Sequence, residues 1–390
     1  MIYICRYIPG STKGSTRQVR AKGASRVYSL RCITALPTQK SILTVSQNKA
    51  QLIDLLCEDL VSHKEEFQRH RLVVTGKLSV PVELNKGLLI KRYDMETTQE
   101  EADTILVQQV ASVKPDSALV VADDTDVFIL LLHFCHNGSI SSQVLMASPC
   151  KGRAVLDVNA TALKHHAIIP DLLATHGLTG CDTVATYYGI GKGVALKILK
   201  TGRYPLDHVG DINSSLPDVL NQATPCILAC YGQSGCHSMT EARHHMWSKK
   251  VSKSTAGAPK LKSLPPTTEA FQENVARAHF QVAVWRHSLE ADPPSLEPTN
   301  NGWCKEEGSQ LLCPTTVQND VPLAPEGLLK LIKCSCSRDR PCKTQKCGCC
   351  SSGMACSLFC SCQGGQQCWN PLSMQGNEED QEEEDDSDST

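Results

Sequence analysis

Residues 174–200, ATHGLTGCDTVATYYGIGKGVALKILK, hold two features that decide how the rest of the chain is interpreted. The tripeptide 180–182, Gly-Cys-Asp, places a carboxylate after a glycine, where a turn can direct it into a cleft. Residues 189–193, Gly-Ile-Gly-Lys-Gly, then open an amphipathic run. Glycines ahead of a helix let backbone N–H groups approach an anion, and the helix N-terminus favours negative charge. The same pattern is also typical of ordinary packing or capping, so both interpretations stay open.

Further acids precede this stretch at the ends of predicted elements. Glu101 and Asp103 begin a predicted helix over 100–113, and Asp124 and Asp126 follow a near-continuous apolar run over 117–122 that predicts a buried strand. Strands that alternate with helices predict an open α/β sheet with its site at the carboxyl ends of the strands. Carboxylates are the ligands that Mg²⁺ and Mn²⁺ prefer, and such ions clamp a phosphodiester. The alternative is that the acids after the strand merely cap the next helix.

The order E-x-D, then D-x-D after an apolar strand, then G-C-D with G-I-G seven residues later, resembles the flap-endonuclease and xeroderma-pigmentosum-G type of 5′ nuclease. The resemblance extends over about residues 71–199 and implies a PIN-like fold, a parallel α/β sheet with flanking helices. It implies Mg²⁺ or Mn²⁺ ligands at Glu101, Asp103, Asp124, Asp126 and Asp182. It also implies contacts to the DNA backbone at Gly189, Ile190, Gly191, Lys192 and Lys197.

Two acids of that family have no counterpart in this chain. The family uses an Asp at the end of its first strand and another in a D-G-K segment. Here Thr75 stands at the second position, in the segment 74–77, and no acid occurs before Asp54. Either an upstream segment is missing or the site is partly dismantled. One hypothesis is therefore a metal-dependent, structure-selective nuclease, and the other is a DNA-binding or scaffold protein that keeps the fold without catalysis.

Cysteines crowd near the C-terminus. Of 21 in the chain, ten lie between Cys334 and Cys368, in the pattern C-x-C-x5-C-x4-C-x-C-x6-C-x3-C-x-C-x5-C-x-N. A chain without a signal peptide is predicted to keep its thiols reduced, and clustered reduced thiols indicate metal binding rather than disulfides. Three zinc ions need twelve tetrahedral ligand positions, which nine thiolates supply if three of them bridge.

This spacing resembles the tesmin-type CXC domain, a family that binds three zinc ions and DNA. The resemblance implies zinc ligands at Cys334, Cys336, Cys342, Cys347, Cys349, Cys356, Cys360, Cys362 and Cys368. Cys350 is left as the spare tenth. A nuclease-like domain joined to a CXC domain is also similar to proteins of animal mobile elements, which implies a transposon-derived, nuclear protein that binds DNA.

The two ends of the chain differ in charge. Residues 1–40 carry eight basic residues and no acid, whereas residues 377–390 carry nine acids and no base. The basic end indicates a polyanionic partner or a solubilising arm, and the acidic end a solvated tail. With no run of 18 apolar residues, no membrane span is predicted.

The sequence predicts six regions along the chain. Residues 1–45 are interpreted as a basic irregular arm, 46–206 as the PIN-like domain and 207–290 as a helical extension. Residues 291–330 are interpreted as a linker, 331–371 as the zinc-stabilised CXC domain and 372–390 as a disordered acidic tail. Helices are predicted over 48–61 and from Phe271 to Leu289, and strands over 71–78, 143–146 and 154–158.

Overall fold

The chain divides into two compact units, Met1–Val317 and Gln318–Thr390. A computed structural model of the protein describes residues 10–21, 26–31, 33, 35, 38–75, 80–114, 116–253, 261–294, 296–306, 308–315, 333–336, 342–357, 360–364 and 368–374. Within those ranges, no helix is both long and apolar enough to cross a bilayer.

Helices and strands of the first unit form a mixed α/β architecture. Its α-helices are α1 Gly14–Ala21, α2 Gln39–Leu43, α3 Ser46–Ser62, α4 Ala102–Val113, α5 Thr125–His136, α6 Val158–Lys164, α7 Ile169–Leu178, α8 Lys192–Leu199, α9 Leu216–Cys230, α10 Met239–Lys253 and α11 Thr268–Arg286. Its strands are β1 Leu72–Val74, β2 Val82–Asn85, β3 Leu88–Lys91, β4 Ser117–Val121, β5 Gln143–Ala147, β6 Leu156–Asp157, β7 Trp303–Lys305 and β8 Leu312–Pro314.

The strands form small separate sheets rather than the single parallel sheet that was predicted. β4 and β5 pair in parallel, but β6 joins β5 antiparallel, and β1, β2 and β3 form their own antiparallel sheet. The mixed α/β class is confirmed, whereas the parallel arrangement holds for one pair of strands. Crossover from β4 to β5 goes through α5, as parallel pairing requires.

Helix α5 begins where β4 ends. Asp124 caps the helix, because its side chain accepts a hydrogen bond from the backbone N–H of Asp126 at 2.9 Å. Beyond this cap the helix is apolar, and Val127, Leu130 and Leu131 are buried in the main core. The D-x-D pair is thereby fixed at the carboxyl end of β4, as the sequence predicts.

Helix α11 lies at the centre of the first unit and is buried on nearly all sides. It contacts α7 and α9, and two glycines allow a close approach to Val282. A Cβ on Gly177 would lie 2.5 Å from Val282 Cγ2, and a Cβ on Gly210 would lie 2.9 Å from the Val282 backbone carbon. The predicted helix over Phe271–Leu289 is confirmed, and it organises the core rather than an outlying extension.

Two segments that were predicted to be irregular contain regular structure. Helices α1 and α2 lie within the predicted basic arm, and the β7–β8 hairpin lies within the predicted linker. The hairpin packs on α11, where the rings of Phe280 and Trp303 meet edge to face with centroids 5.0 Å apart. The strand predicted over 154–158 is shorter, since α6 begins at Val158. The predicted acidic tail falls outside the described residues except for 372–374.

Candidate functional site

Cysteine sulfurs form the densest cluster of potential metal ligands in the described part of the chain. Three overlapping groups of four have all their Sγ atoms within 4.8 Å of one another. The groups are Cys334–Cys336–Cys342–Cys347, Cys334–Cys342–Cys356–Cys362 and Cys334–Cys347–Cys349–Cys356. Cys334 belongs to all three groups.

Distances between the sulfurs fit zinc coordination. The Sγ atoms of Cys334 and Cys342 lie 3.5 Å apart, those of Cys334 and Cys362 3.7 Å apart, and those of Cys347 and Cys356 3.9 Å apart. Sulfurs about 2.3 Å from a central ion, at the corners of a tetrahedron, lie roughly 3.8 Å from each other. A disulfide would bring them to about 2.05 Å. The cluster therefore has the spacing of thiolates that share metal ions.

The remaining predicted ligands lie at the edge of this cluster. Cys360 Sγ is 3.6 Å from Cys349 Sγ, and Cys368 Sγ is 3.9 Å from Cys362 Sγ. Cys350, predicted as the spare cysteine, belongs to none of the three groups, but neither do Cys360 and Cys368, so the groups alone do not distinguish it. The structure thus brings together all nine predicted zinc ligands, and their individual roles stay a prediction.

N–H donors point at the sulfurs. The backbone N–H of Cys334 donates to Cys360 Sγ at 3.5 Å, and the side-chain amide of Asn370 donates to Cys356 Sγ at 3.3 Å. The same amide donates to the carbonyl of Met354 at 2.8 Å. Such donors stabilise thiolate over thiol, and thiolate is the form that binds metal. Asn370 is fully buried, and the sequence pattern ending in C-x-N marked this position without assigning it a role.

In the first unit, the predicted carboxylates converge on one cleft. Asp103 in the first turn of α4, Asp124 at the start of α5 and Asp182 after α7 line a cavity of about 340 Å³. Glu101 occupies the N-cap position of α4 without a side-chain capping hydrogen bond; it is buried, and its carboxylate oxygen Oε2 lacks a hydrogen-bond partner. Three of the five predicted acids thus line one cavity, and their role as metal ligands stays a prediction.

Basic residues from α1 and the turn before it enter the same cleft. Lys13 Nζ lies 3.2 Å from Glu101 Oε1 and 3.9 Å from Asp103 Oδ2. Arg20 Nη2 donates to Asp182 Oδ1 at 2.7 Å. Lys13 and Arg20 therefore occupy the positions where a metal ion bound to these acids would place its positive charge.

Electrostatics in the cleft differ between two of the acids. Burial, together with repulsion from Glu101, Asp124 and Asp126 and opposed by Lys13, raises the pKa of Asp103 to about 7. Burial also disfavours ionisation of Asp182, but the hydrogen bond and charge of Arg20 outweigh it and hold the pKa of Asp182 below its ordinary value. The cleft thus holds one carboxyl that resists ionisation beside one that is kept ionised.

The fit of these acids to Mg²⁺ or Mn²⁺ is incomplete with α1 in place. Among the described residues, the only groups of three or more potential ligand atoms within 4.8 Å are sulfurs. The partnerless oxygen of Glu101 is suited to a cation, yet its other oxygen faces Lys13. Thr75, at the position where the resembled family has an acid, is buried and supplies no carboxylate. The acids would need α1 to withdraw before they could approach one cation together.

Asp126 does not line the cleft that Asp103, Asp124 and Asp182 form. Its Oδ1 lies 2.7 Å from Nε2 of His176, which is buried against Trp285.

Lys192 also turns inward, because its Nζ donates to the carbonyls of His176 and Gly180 and to the hydroxyl of Thr179. Burial lowers the pKa of Lys192 to about 8, despite the opposing charges of Cys181 and Asp126.

The rest of the predicted backbone-contact segment faces outward. Gly189 and Gly191 are exposed, as is Lys197 on α8, whereas Ile190 is buried in the core. Gly189 adopts a φ of +80°, which favours glycine there. Both glycines of the loop before α8 are thus exposed, and the exposed Lys197 lies in the last turn of that helix.

Sequence reasoning missed Lys13, Arg17 and Arg20 as cleft residues. The basic composition of the first 40 residues was the available signal, but it indicated an external polyanion rather than the acids of this chain. Arg17 completes the set, donating to Glu100 at 3.0 Å. Comparisons with family models, with curated proteins and with solved structures found no match to this chain.

Proposed function

We propose that this chain is a zinc-stabilised, DNA-associated nuclear protein of mobile-element origin. The observation that carries the proposal is the cluster of overlapping sulfur groups that share Cys334. The order of motifs supports the origin, because a nuclease-like acid pattern followed by a CXC-like block resembles mobile-element proteins.

The count of sulfurs supports a shared cluster rather than isolated sites. Nine sulfurs at metal-ligand spacing cannot fill three separate tetrahedral sites, which need twelve ligands. The three groups place seven different sulfurs in twelve positions, because Cys334 belongs to all three groups and Cys342, Cys347 and Cys356 belong to two each. We therefore propose three zinc ions linked by bridging thiolates.

Charge on the cysteine unit supports contact with phosphates. Lys333, Lys343 and Lys346 are exposed, and residues 333–370 carry five basic residues against one acid, Asp339, ahead of the acidic tail. Lysines act on phosphates as point charges and carry little information about base sequence. The proposed mode of DNA binding is therefore electrostatic.

Metal content tests the zinc part. Native mass spectrometry of the full chain should show about three bound zinc ions, and chelator should remove structure from the cysteine unit, because structural zinc contributes on the order of 10 kcal/mol of folding free energy per site. A folded chain with one zinc ion or none would overturn the cluster.

Salt dependence tests the DNA part. Affinity for a duplex should fall steeply between low and moderate salt and should vary little with sequence. A Lys343→Gln, Lys346→Gln double variant should flatten the salt slope, since fewer counterions are then released on binding. Strong preference for one short sequence that survives high salt would contradict the electrostatic mode.

A second candidate function is Mg²⁺-dependent cleavage of DNA. The observation that favours it is the convergence of Asp103, Asp124 and Asp182 in one cleft. Against it stand Lys13 and Arg20 in that cleft and Thr75 at the position of an acid. We therefore favour a scaffold in which the cleft is closed, with catalysis as the alternative.

Cleavage assays separate the two candidates. Flap, nicked and single-stranded DNAs should stay intact with the wild-type chain and Mg²⁺ or Mn²⁺. Metal-dependent cleavage that is lost in both Asp124→Ala and Asp182→Ala, with DNA binding retained, would establish the nuclease instead.

A further inference from the structure

Two cysteines face each other across the β7–β8 hairpin. The register of the hairpin places Cys304 directly opposite Cys313. Both thiols are free, with Cys304 exposed and Cys313 half-buried. The pair belongs to the first unit, whereas the zinc cluster belongs to the second, and neither cysteine lines the cleft of acids.

The two side chains lie on the outer face of the hairpin. Successive side chains of a strand alternate between its faces, and the neighbours Trp303 and Leu312 are buried, Trp303 against Phe280 of α11. Directly opposite residues share a face, so Cys304 and Cys313 both point away from α11. The Cys304 thiol donates to the Cys313 carbonyl at 3.5 Å. A small thiol-reactive molecule can therefore reach this pair without unfolding the chain.

Backbone hydrogen bonds of the hairpin set the separation of the two cysteines. The N–H of Glu306 donates to the carbonyl of Leu311 at 3.0 Å, on the turn side of the pair. On the other side, the N–H of Thr315 donates to the carbonyl of Gly302 at 2.9 Å. Each bond lies two residues from the cysteines, which are therefore also a hydrogen-bonded pair, with Cα atoms about 5.5 Å apart. A disulfide allows about 4.4–6.8 Å, so the sulfurs can bond without a change of register.

The same type of pair favours a bond that is easily broken. Opposite Cβ atoms of a hydrogen-bonded pair lie toward the far end of a range of about 4.5–5.5 Å, whereas a disulfide needs about 3.5–4.5 Å. The side chains must be drawn together to close the bond, which makes it easier to reduce. Reversible bonds of this kind are the ones found where thiols are otherwise kept reduced.

We propose that Cys304 and Cys313 form a reversible oxidation site, whose oxidant is a small disulfide such as glutathione disulfide. The Cys304 thiolate attacks one sulfur of the oxidant, forms a mixed disulfide and releases one thiol. The Cys313 thiolate then attacks Cys304 Sγ and releases the second thiol. The protein gives up two electrons and two protons, and the oxidant takes up both to become two thiols.

The order of the two attacks follows from the surroundings of the thiols. Partial burial, together with the nearby charges of Glu306 and Cys304, raises the pKa of Cys313. A thiol with a raised pKa is less often ionised, and only the thiolate attacks. The exposed Cys304 therefore meets the oxidant first, and Cys313 closes the bond from the opposite strand.

The bond would restrain a hairpin that lies against two helices. Arg277 of α11 donates to the carbonyls of Gly302 and Thr315, at 2.8 and 2.6 Å, at the open end of the hairpin. A Cβ on Gly14, the first residue of α1, would lie 3.1 Å from Leu311 Cδ1. Oxidation should therefore slow local opening of the hairpin.

Peptide mapping of the full chain tests the proposal. The chain, kept in zinc, is equilibrated in glutathione buffers of graded ratio, blocked with N-ethylmaleimide and digested with trypsin. Cleavage after Arg286, Lys305 and Lys330 gives peptides 287–305 and 306–330, which carry one cysteine each. In oxidising buffer these peptides should be joined and lighter by two hydrogens than their sum. Excess reduced glutathione should separate them again.

Two controls accompany the mapping. Cys150 is exposed but lies outside the strands, so it should stop at the mixed disulfide with glutathione. Cys304→Ser should abolish the joined peptides and leave the melting temperature of the reduced chain unchanged, because this side chain is exposed. Hydrogen exchange over 302–315 should slow on oxidation of the wild type and stay unchanged in Cys304→Ser.

Three results would overturn the proposal. The first is a mixed disulfide alone on Cys304 and Cys313 at every glutathione ratio. The second is linkage of these two cysteines to others of the chain as often as to each other. The third is a joined pair that excess reduced glutathione does not separate, because the bond would then be permanent.

Discussion

The guanidinium of Arg20 reaches both carboxylate oxygens of Asp182, at 2.7 Å from Nη2 to Oδ1 and 3.4 Å from Nη1 to Oδ2. The two residues are 162 positions apart in sequence. The contact joins α1 to the loop after α7, and the hydroxyl of Thr16 strengthens the junction by donating to the Asp182 carbonyl at 2.9 Å. Helix α1 is therefore a cover over the acids rather than a free arm.

Removing the positive charges of this cover should open the cleft to cations. In a Lys13→Met, Arg20→Met double variant, Mn²⁺ affinity measured by electron paramagnetic resonance should rise at least about tenfold, because two competing cations are gone. Arg153→Met is the control, since Arg153 pairs with exposed Asp123 and does not line the cleft. Equal Mn²⁺ affinity in wild type and double variant would show that the acids do not form a cation site.

Asp103 should make stability depend on pH. Its pKa is raised from 3.8 to about 7 in the folded chain, so folding disfavours its ionisation. The resulting loss of stability is absent below about pH 4, grows as pH rises toward 7, and is constant above that. Asp103→Asn should thus match the wild type in urea unfolding at pH 4 and be more stable by on the order of 2 kcal/mol at pH 8. A stability difference that does not change between these pH values would contradict the raised pKa.

Two cysteine variants should distinguish a zinc ligand from the cysteine that is predicted not to bind zinc. Cys347→Ser removes a sulfur that belongs to two of the three groups and should reduce the zinc content of the full chain. Cys350→Ser, three positions along the same turn, should leave zinc content unchanged, because the cysteine pattern leaves Cys350 as the spare tenth. Zinc measured by plasma mass spectrometry decides, and an equal loss in both variants would mean that the assignment of the spare cysteine is wrong.

Two glycine variants should change stability in opposite directions. Gly177→Ala would force a methyl group to within 2.5 Å of Val282 Cγ2 at the α7–α11 contact and should destabilise the chain by about 1–3 kcal/mol. Gly193→Ala, on the open side of α8, meets no atom within 4 Å and should stabilise it by roughly 0.5–1 kcal/mol. Thermal melting of both variants tests whether α11 is packed as closely as described.

Lys197 and Lys192 should respond differently to removal of their charge. Lys197→Gln should weaken DNA binding modestly and leave the melting temperature unchanged, since Lys197 is exposed. Lys192→Met should lower the melting temperature, because it leaves the carbonyls of His176 and Gly180 without their donor. Loss of DNA binding in a fully stable Lys192→Met variant would place that side chain at the interface instead.

The spacing of apolar residues correctly predicted the helices and strands that bury one regular apolar face. Helices α3, α4 and α11 and strands β4 and β5 match their predicted positions, and the D-x-D pair lies where a strand followed by a helix places it. The cysteine cluster was predictable for another reason. Cysteines that are only a few residues apart in sequence are also close in space, so their clustering needs no long-range contact.

The features that could not be predicted from the sequence depend on contacts between residues far apart in the chain. Helix α1 has no apolar stripe, and its Arg17 and Arg20 bind acids 83 and 162 positions away, so nothing local marked it as folded. The inward turn of Lys192 likewise depends on carbonyls exposed at the end of α7. The β7–β8 hairpin is stabilised by the contact of Trp303 with α11. The antiparallel pairing of β6 was hidden because strand direction is set by the connection, not by composition.

Cys334, shared by all three sulfur groups, has a consequence for how the cysteine unit gains and loses metal. Because one sulfur joins the groups, no ion can leave without changing the surroundings of its neighbours. If these groups hold several zinc ions as proposed, binding of one ion would then favour binding of the next, and partly filled chains would be few.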